Sequence, residues 1–442
     1  LSVFPLELSK ILAAMAVFVN RKFPVDEIFA KMRKSFRESG VRPVSAQEII
    51  PLSKPNAIVA KNAHRPVARY QAALERCVEK LRTTMPVIGL RNPKIGLADN
   101  SWQYCSDIDW VIGFQSGQLW LALQLTGDPV FLNAARARRP AFRKILTNRL
   151  SRDHDLGFQF SLSCVADYLM TADREARDMG IKAAEALASR FHDEGGYIQA
   201  WHPKSHPEPE HASFVAGRVI VDCMQNLALL HWAYAETAVK DFQEIALIHA
   251  ETNAKHLIRA DDTSFHTFIF DAASGRPVRG ETHQGYKNDS CWARGQAWMI
   301  HGYAQCALTT GNKGDLEIAK RLAAKAEQLM GNDKVPIWDY AVTDPTISYR
   351  DSSAGSIMAA GAYLIADQCE GEEAARWTAW GDRLLDGLLE TCDLTADPRA
   401  LGMLAHGASH VARGLSDAML PYGDYYFMEA LMRATGHRHF FW

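Results

Sequence analysis

The chain has 442 residues, 48% of them hydrophobic and 23% charged, which excludes a disordered chain and supplies enough apolar material for a large buried core. Its 49 basic and 51 acidic residues leave a formal net charge of -2, so no nucleic acid and no anionic membrane is expected as a partner, and an acidic ligand has to be met by local charges. The eight cysteines are scattered without a CxxC pair, mostly inside apolar helical patterns, and read as free thiols of a reducing, cytoplasmic compartment.

Residues 1–60 read as an N-terminal helical extension: two short helices near Leu6 to Val19 and Val25 to Ser39, then a connector bearing Pro43, Pro51 and Pro55. The apolar run Ile11 to Val19, bracketed by Lys10 and Arg21, is too short to span a bilayer. A periplasmic location follows only if an export signal once preceded Leu1. Residues 61–442 form the main domain. From Val67 onward apolar residues recur at helical spacing with hardly any strand-like alternation. Twelve helices are expected, starting near Val67, Asp107, Pro129, Phe158, Arg174, Val219, Lys240, Ser290, Gly314, Ser352, Glu372 and Gly423. The fold class is therefore all-α. The helices fall into pairs joined at recurring turns: Thr126-Gly-Asp128, Thr171-Ala-Asp173, Thr237 to Asp241, Thr310 to Asp315 and Gln368 to Glu372. Their spacing is too irregular for a consensus solenoid but suits six helical hairpins closing a toroid. Trp110, Asp155, Asp222, Arg294 and Asp351 all precede or open the first helix of a pair, so parallel inner helices would gather them at one mouth.

Asp222 stands alone as a carboxylate in the apolar run Arg218-Val-Ile-Val-Asp-Cys-Met-Gln-Asn226. A buried, unpaired carboxyl has a raised pKa and suits a general acid, whereas the alternative is an ordinary helix N-cap. Asp155, in Asp153-His-Asp-Leu-Gly-Phe158, carries the same two readings, with Asp107 and Asp109 as weaker candidates. Arg294 and Trp298 lie four residues apart in Ser290-Cys-Trp-Ala-Arg-Gly-Gln-Ala-Trp298 and share a helix face. A guanidinium pairs bidentately with a carboxylate and an indole offers an apolar face to a pyranose, although tryptophans at helical spacing also serve as core. His266 and Gln284 fall in a polar segment between two hairpins and, taken singly, also read as satisfied structural residues. The loop His202 to His211 is rich in histidine but holds three prolines, and neither Cys nor HExxH accompanies it, so no metal is expected.

Taken in order, these motifs resemble the unsaturated glucuronyl hydrolases of glycoside hydrolase family 88. The resemblance runs from about Trp102 to Arg433. It is carried by Trp110-x-x-Gly-Phe114, Gly117-x-Leu-Trp120, His154-Asp-Leu-Gly-Phe158, Val219 to Asn226, His266, Gln284-Gly285, Trp292-Ala-Arg-Gly-Gln-Ala-Trp298, Trp338-Asp339, Ser353-Ala354 and Tyr422-Gly-Asp-Tyr-Tyr-Phe427. It implies an (α/α)6 barrel, an unsaturated oligosaccharide as substrate, and neither metal nor organic cofactor. By the same resemblance Asp222 is the general acid and base, Asp155 the second essential carboxylate, and Trp110, Trp201, His266, Gln284, Arg294 and Trp298 line the sugar subsite. Gln115, Ala200 and a long loop from His202 to Gly217 depart from the family pattern beside that subsite. Family members that accept sulfated fragments carry Ser and Lys near Ser409 to Ser416, where this chain has His410, Arg413 and Ser416. Arg413 is thus a candidate anion contact in the plus-one subsite, or else a solvated arginine. Three alternatives stay open: an unsaturated rhamnogalacturonyl hydrolase, an inverting glycosidase of the same shape, and a non-catalytic helical scaffold.

Overall fold

The computed structural model describes residues 67–148, 151–201 and 213–442. The expected extension over residues 1–60 and the histidine-rich loop from His202 lie outside the described residues. Among the described residues fourteen α-helical segments carry the fold: α1 (Val67–Ile88), α2 (Ile112–Thr126), α3 (Pro129–Ala137), α4 (Arg139–Thr147), α5 (Leu156–Phe160), α6 (Ala166–Thr171), α7 (Arg174–Ala188), α8 (Cys223–Thr237), α9 (Lys240–His256), α10 (Ala293–Thr310), α11 (Lys313–Met330), α12 (Ser352–Ala366), α13 (Gly371–Thr391) and α14 (Pro421–Ala434). They account for the twelve expected helices. Ser161–Val165 is a π-helical turn that joins α5 to α6 into one rod. The helix expected from Pro129 is broken into α3 and α4 at Arg138, because Pro140 is tolerated only in the first turn of a new helix.

Which helices are inside follows from their composition. Every residue of α12 and of α14 is buried, as are most of α2, α8 and α10. A helix that is apolar all round must be enclosed, while α7, α11 and α13 bury one stripe and are solvated on the other. The inner helices α2, α5–α6, α8, α10, α12 and α14 pack each against the next, and α14 packs back onto α2 to close the ring. The outer layer is α3–α4, α7, α9, α11, α13 and α1, so the sixth pair is made by the first and last helices. Tyr70 of α1 donates to the main chain of Asp382 in α13 at 3.2 Å, and Arg76 meets Asp393 at 2.6 Å.

Four of the inner-to-outer turns share one construction. Thr126, Thr171, Thr237 and Thr310 each return a hydroxyl hydrogen bond to the carbonyl four residues back. The next residue is left-handed: Gly127, Ala172, Ala238 and Gly311 have φ of 66°, 58°, 58° and 73°. Asp128, Asp173 and Asn312 then cap the outer helix.

Strands are the feature that periodicity misses. Among the described residues three short antiparallel sheets occur in the outer-to-inner connections: β1 (Asn92–Gly96) with β2 (Trp102–Cys105), β3 (Phe191–His192) with β4 (Tyr197–Ile198), and β5 (Arg218–Ile220), β6 (Thr267–Phe270) and β7 (Pro277–Glu281) in order. At two to five residues they are too short to display an alternation. β5 also delays to Cys223 the helix expected near Val219, while those expected near Asp107 and Ser290 begin at Ile112 and Ala293. All eight cysteines are free, and among the described residues no helix is long and apolar enough to cross a membrane.

Candidate active site

Two strands place the central pair of side chains. β5 runs antiparallel to β6 with Ile220 opposite Thr267, and the N–H of Val221 donates to the carbonyl of His266 at 3.1 Å. The backbone of His266 is therefore held against that of Val221, the residue before Asp222, where the sheet meets α8. Asp222 occupies the N-cap position of α8, yet its backbone is helical and its side chain makes no capping bond. The capping reading of this residue is thereby removed. Asp222 is 8% exposed, and its Oδ1 is buried without a hydrogen-bond partner among the described residues. Burial pushes its carboxyl up to about 7, partly opposed by the Arg294 charge.

Asp155 repeats the arrangement at the head of α5, again at the N-cap position and again without a capping bond. Burial and the neighbouring Asp153, Asp222 and Asp109 carboxylates hold it well above the ordinary range, against the Asn226 amide. By contrast Asp351, at the head of α12, is a true cap: its Oδ1 accepts from the N–H of Ser353 at 3.1 Å and of Ala354 at 3.4 Å. Of three aspartates heading inner helices, two are withheld from capping, and these two lie close enough to interact.

The His266 imidazole has a fixed tautomer. Its Nδ1 accepts the main-chain N–H groups of His283 at 3.1 Å and Gln284 at 3.0 Å, so the hydrogen resides on Nε2. Burial, reinforced by the charges around it, keeps the ring neutral. Nε2 is buried with no partner among the described residues and the ring lies 4.2 Å from that of Trp292. His266 thus offers one N–H to whatever enters.

Arg294 and Trp298 lie deeper than the other candidates. Both are buried, Trp298 at 0% exposure. The Arg294 guanidinium is already engaged: Nη1 donates to Asp351 at 2.7 Å and to the Ala408 carbonyl at 2.6 Å, and Nη2 donates to the Ser409 carbonyl at 2.7 Å. It also lies over the rings of Trp292 at 4.5 Å and Tyr422 at 5.2 Å. It is a buried keystone that ties the segment around Ser409 to the barrel and lends its charge to Asp222. Trp298 packs on Phe158 at 5.1 Å and Tyr426 at 5.4 Å. It forms the floor beneath the neighbouring rings.

The remaining candidates surround the mouth. Trp110 is half-buried and stacks on Tyr422 at 5.0 Å, with Phe158 at 5.7 Å. Trp201 is half-buried against His283 at 5.4 Å and His154 at 6.1 Å. Gln284 spends its Nε2 on the Ser409 carbonyl at 2.9 Å, so it braces the same segment as Arg294. Arg413 is exposed in a short hairpin closed by the His410–Leu415 bridge. Burial, then the Arg413 and Arg294 charges, lower His410 to about 4, and His410 faces His283 at 5.3 Å. Sequence reasoning passed over His154, Trp292, Tyr422 and His283 beside these candidates and named His410 only together with Arg413. The first three stood inside quoted motifs, next to residues that were chosen. Among the described residues no group of three or more His, Cys, Asp or Glu is placed to hold a metal ion.

No protein-family profile matches the chain. It is 39% identical over 374 residues to the unsaturated glucuronyl hydrolase of Bacillus sp. (strain GL1), spanning 82% of this chain and 96% of that protein. It is 32% identical over 375 residues to the unsaturated chondroitin disaccharide hydrolase of Streptococcus pneumoniae, spanning 84% and 93%. The crystal structure of the unsaturated glucuronyl hydrolase from Bacillus sp. GL1, described as responsible for the degradation of glycosaminoglycan, matches with a TM-score of 0.78 at 36% identity, covering 84% of this chain and 99% of that one. Similarity of that extent, on the same ring of helices, identifies an enzyme: the chain belongs to the unsaturated glucuronyl hydrolases of glycoside hydrolase family 88.

Proposed function

We propose that the enzyme removes a 4,5-unsaturated uronic acid from the non-reducing end of lyase-generated oligosaccharides by hydrating the enol ether, with Asp222 as acid and then base. The observation that carries this reading is the uncapped, buried Asp222, whose carboxyl burial raises to about 7 so that it can hold a proton near neutral pH. Protonated Asp222 delivers its proton to C4 of the double bond, and positive charge develops at C5 and the ring oxygen. The Asp222 carboxylate then takes a proton from the water that attacks C5. The resulting hemiketal opens and releases the next sugar, one water having been consumed and the acid regenerated. Asp155 is the second carboxylate of the site. The His266 Nε2–H serves as a neutral donor to the sugar, Trp110 and Trp201 flank it, and Arg294, Gln284 and Trp298 support these groups from behind.

For substrate class we propose unsaturated disaccharides of glycosaminoglycan origin, on the similarity to the chondroitin disaccharide hydrolase of Streptococcus pneumoniae. Arg413, the exposed cation near His410, is the proposed contact for an anionic substituent on the second sugar. The test follows loss of the ultraviolet absorbance of the conjugated double bond, with chondroitin, hyaluronan and heparin disaccharides in oxygen-18 water. Label in the released keto acid is the expected result. Label on the anomeric carbon of a cyclic hemiacetal would instead establish an inverting glycosidase.

A further inference from the structure

The proposed reaction leaves the Trp338-Asp339 motif unused. Asp339 is fully buried, and its backbone pairs antiparallel with that of Trp292 just ahead of α10. The N–H of Ala293 donates to the Trp338 carbonyl at 2.9 Å, and that of Tyr340 to the Cys291 carbonyl at 3.0 Å. The side chain reaches into the turn between β7 and α10. There Oδ2 accepts the main-chain N–H of Tyr286 at 2.8 Å and the Ser290 hydroxyl at 2.6 Å, while Oδ1 accepts the N–H of Ala341 at 3.0 Å. A buried carboxylate is costly unless hydrogen-bonded, and these three donors meet that need. The same turn presents the N–H groups of His283 and Gln284 to His266 Nδ1 at 3.1 and 3.0 Å. It is tightly built: the N–H of Gly285 donates to Thr282 Oγ1 at 2.7 Å, and a Cβ on Gly285 would lie 2.5 Å from that oxygen and 3.1 Å from Asp339 Oδ2. Arg259 holds the far end of the turn through the Asn288 and Ser290 carbonyls at 3.3 and 2.9 Å. Its middle, at Tyr286, is held by Asp339.

We infer that Asp339 is a positioning residue for the reaction: by pinning Tyr286 and Ser290 it keeps two main-chain N–H groups on His266 Nδ1, and so keeps the one hydrogen of the ring on Nε2. The role rests on the reading of His266 as a neutral donor to the sugar. Backbone pairing gives Asp339 a second hold on the imidazole, because the ring of its bridge partner Trp292 lies 4.2 Å from that of His266. Once the turn is released, Nδ1 is free to take the hydrogen and donate it to Thr282 Oγ1, 3.4 Å away. Nε2 then becomes an acceptor, and the sugar loses a donor that nothing else among its described neighbours has claimed.

The test is nitrogen-15 NMR of the histidine-labelled enzyme, with the His266 signals identified by their absence in His266→Phe, alongside kcat and KM on an unsaturated chondroitin disaccharide. The wild type should show a single tautomer with its hydrogen on Nε2; a mixture, or hydrogen on Nδ1, would overturn the proposal whatever the variants do. Asp339→Ala should show both tautomers and raise KM about tenfold, the upper worth of one hydrogen bond, with kcat changed less. Asp339→Asn, which keeps an oxygen for Tyr286 and Ser290, should stay close to the wild type in both readouts. Gly285→Ala crowds the turn while leaving the carboxylate in place; it should reproduce Asp339→Ala and replaces it should that variant not fold. An Asp339→Ala enzyme that is merely less stable, keeping the single tautomer and its KM, would reduce Asp339 to a structural contact and sink the inference. His266→Phe distinguishes the two failures. An unchanged KM in that variant removes His266 as a donor to the sugar, whereas a raised KM that added Asp339→Ala raises tenfold again removes only the role of Asp339.

Discussion

Replacing Arg294 by Met separates the two roles that this residue could have. The substitution keeps a long, largely apolar side chain but removes the cation that pairs with Asp351 at 2.7 Å and holds the Ala408 and Ser409 carbonyls. Asp351 is fully buried and Arg294 is 1% exposed, so one charge is left in the interior without its partner. Breaking a buried pair this way costs about 3–5 kcal/mol. The same cation opposes the rise of the Asp222 carboxyl, which stands at about 7. Its removal raises that carboxyl further, so the protonated, active form persists to higher pH and the basic limb of kcat/KM moves up. Adding Asp351→Asn should restore part of the stability, because the orphaned charge is removed, and should leave the basic limb raised. Urea denaturation and pH profiles on an unsaturated disaccharide read both effects. A variant of unchanged stability, with an unmoved basic limb and only KM increased, would refute the keystone role and return Arg294 to the substrate carboxylate.

Three further outcomes are expected. Asp222→Asn should abolish turnover by at least the roughly 10²- to 10⁴-fold worth of a general acid–base step. It should also stabilise the fold above neutral pH: a carboxyl whose folded pKa is raised to about 7 contributes stability at low pH that is lost as pH rises through that value. The gain in melting temperature should therefore vanish well below neutrality, and a gain equal at both pH extremes would exclude this origin. Trp298→Ala, which empties the floor between Phe158 and Tyr426, should cost about 3–5 kcal/mol and lower kcat together with stability; a selective rise in KM without destabilisation would restore it as a sugar platform. Arg413→Ala should lower kcat/KM about tenfold on a sulfated disaccharide, less as salt rises, and leave the unsulfated analogue unaffected; equal losses on both would make Arg413 a solvated rim residue.

The ring of helices was legible because its two layers differ in composition. Inner helices such as α12 are apolar all round and outer ones such as α13 are striped, and the Thr-containing turns between them recur. The proposed catalytic carboxyls were half legible. A lone Asp in an apolar run signals burial, but an N-cap and a general acid look alike until the capping bond is seen to be missing at Asp222 and Asp155 and present at Asp351. The commitments of Arg294 were beyond reach of any local pattern: its partners lie 57, 114 and 115 positions away. Local spacing correctly put Arg294 and Trp298 on one face, yet could not say that the face points inward. Likewise β5 and β6, which bring His266 against Val221, depend on a pairing across a whole hairpin.

Closing the ring between α1 and α14 has a consequence for the order of assembly on the ribosome. Each of the other five pairs can dock on its predecessor as it emerges, because its members are neighbours in the chain. The bond from Arg69 to Asp386 spans 317 positions, and α14 is the helix that packs on both α2 and α12. Until Pro421–Ala434 leaves the exit tunnel, the inner face of α2, the flank of α12 and the buried stripe of α1 have no cover. Long-range closure of this kind is slow, and the open intermediate exposes apolar surface for as long as translation lasts. A nascent chain arrested before Pro421 should therefore be a holdase client and protease-sensitive, and extension by α14 should end both at once rather than gradually.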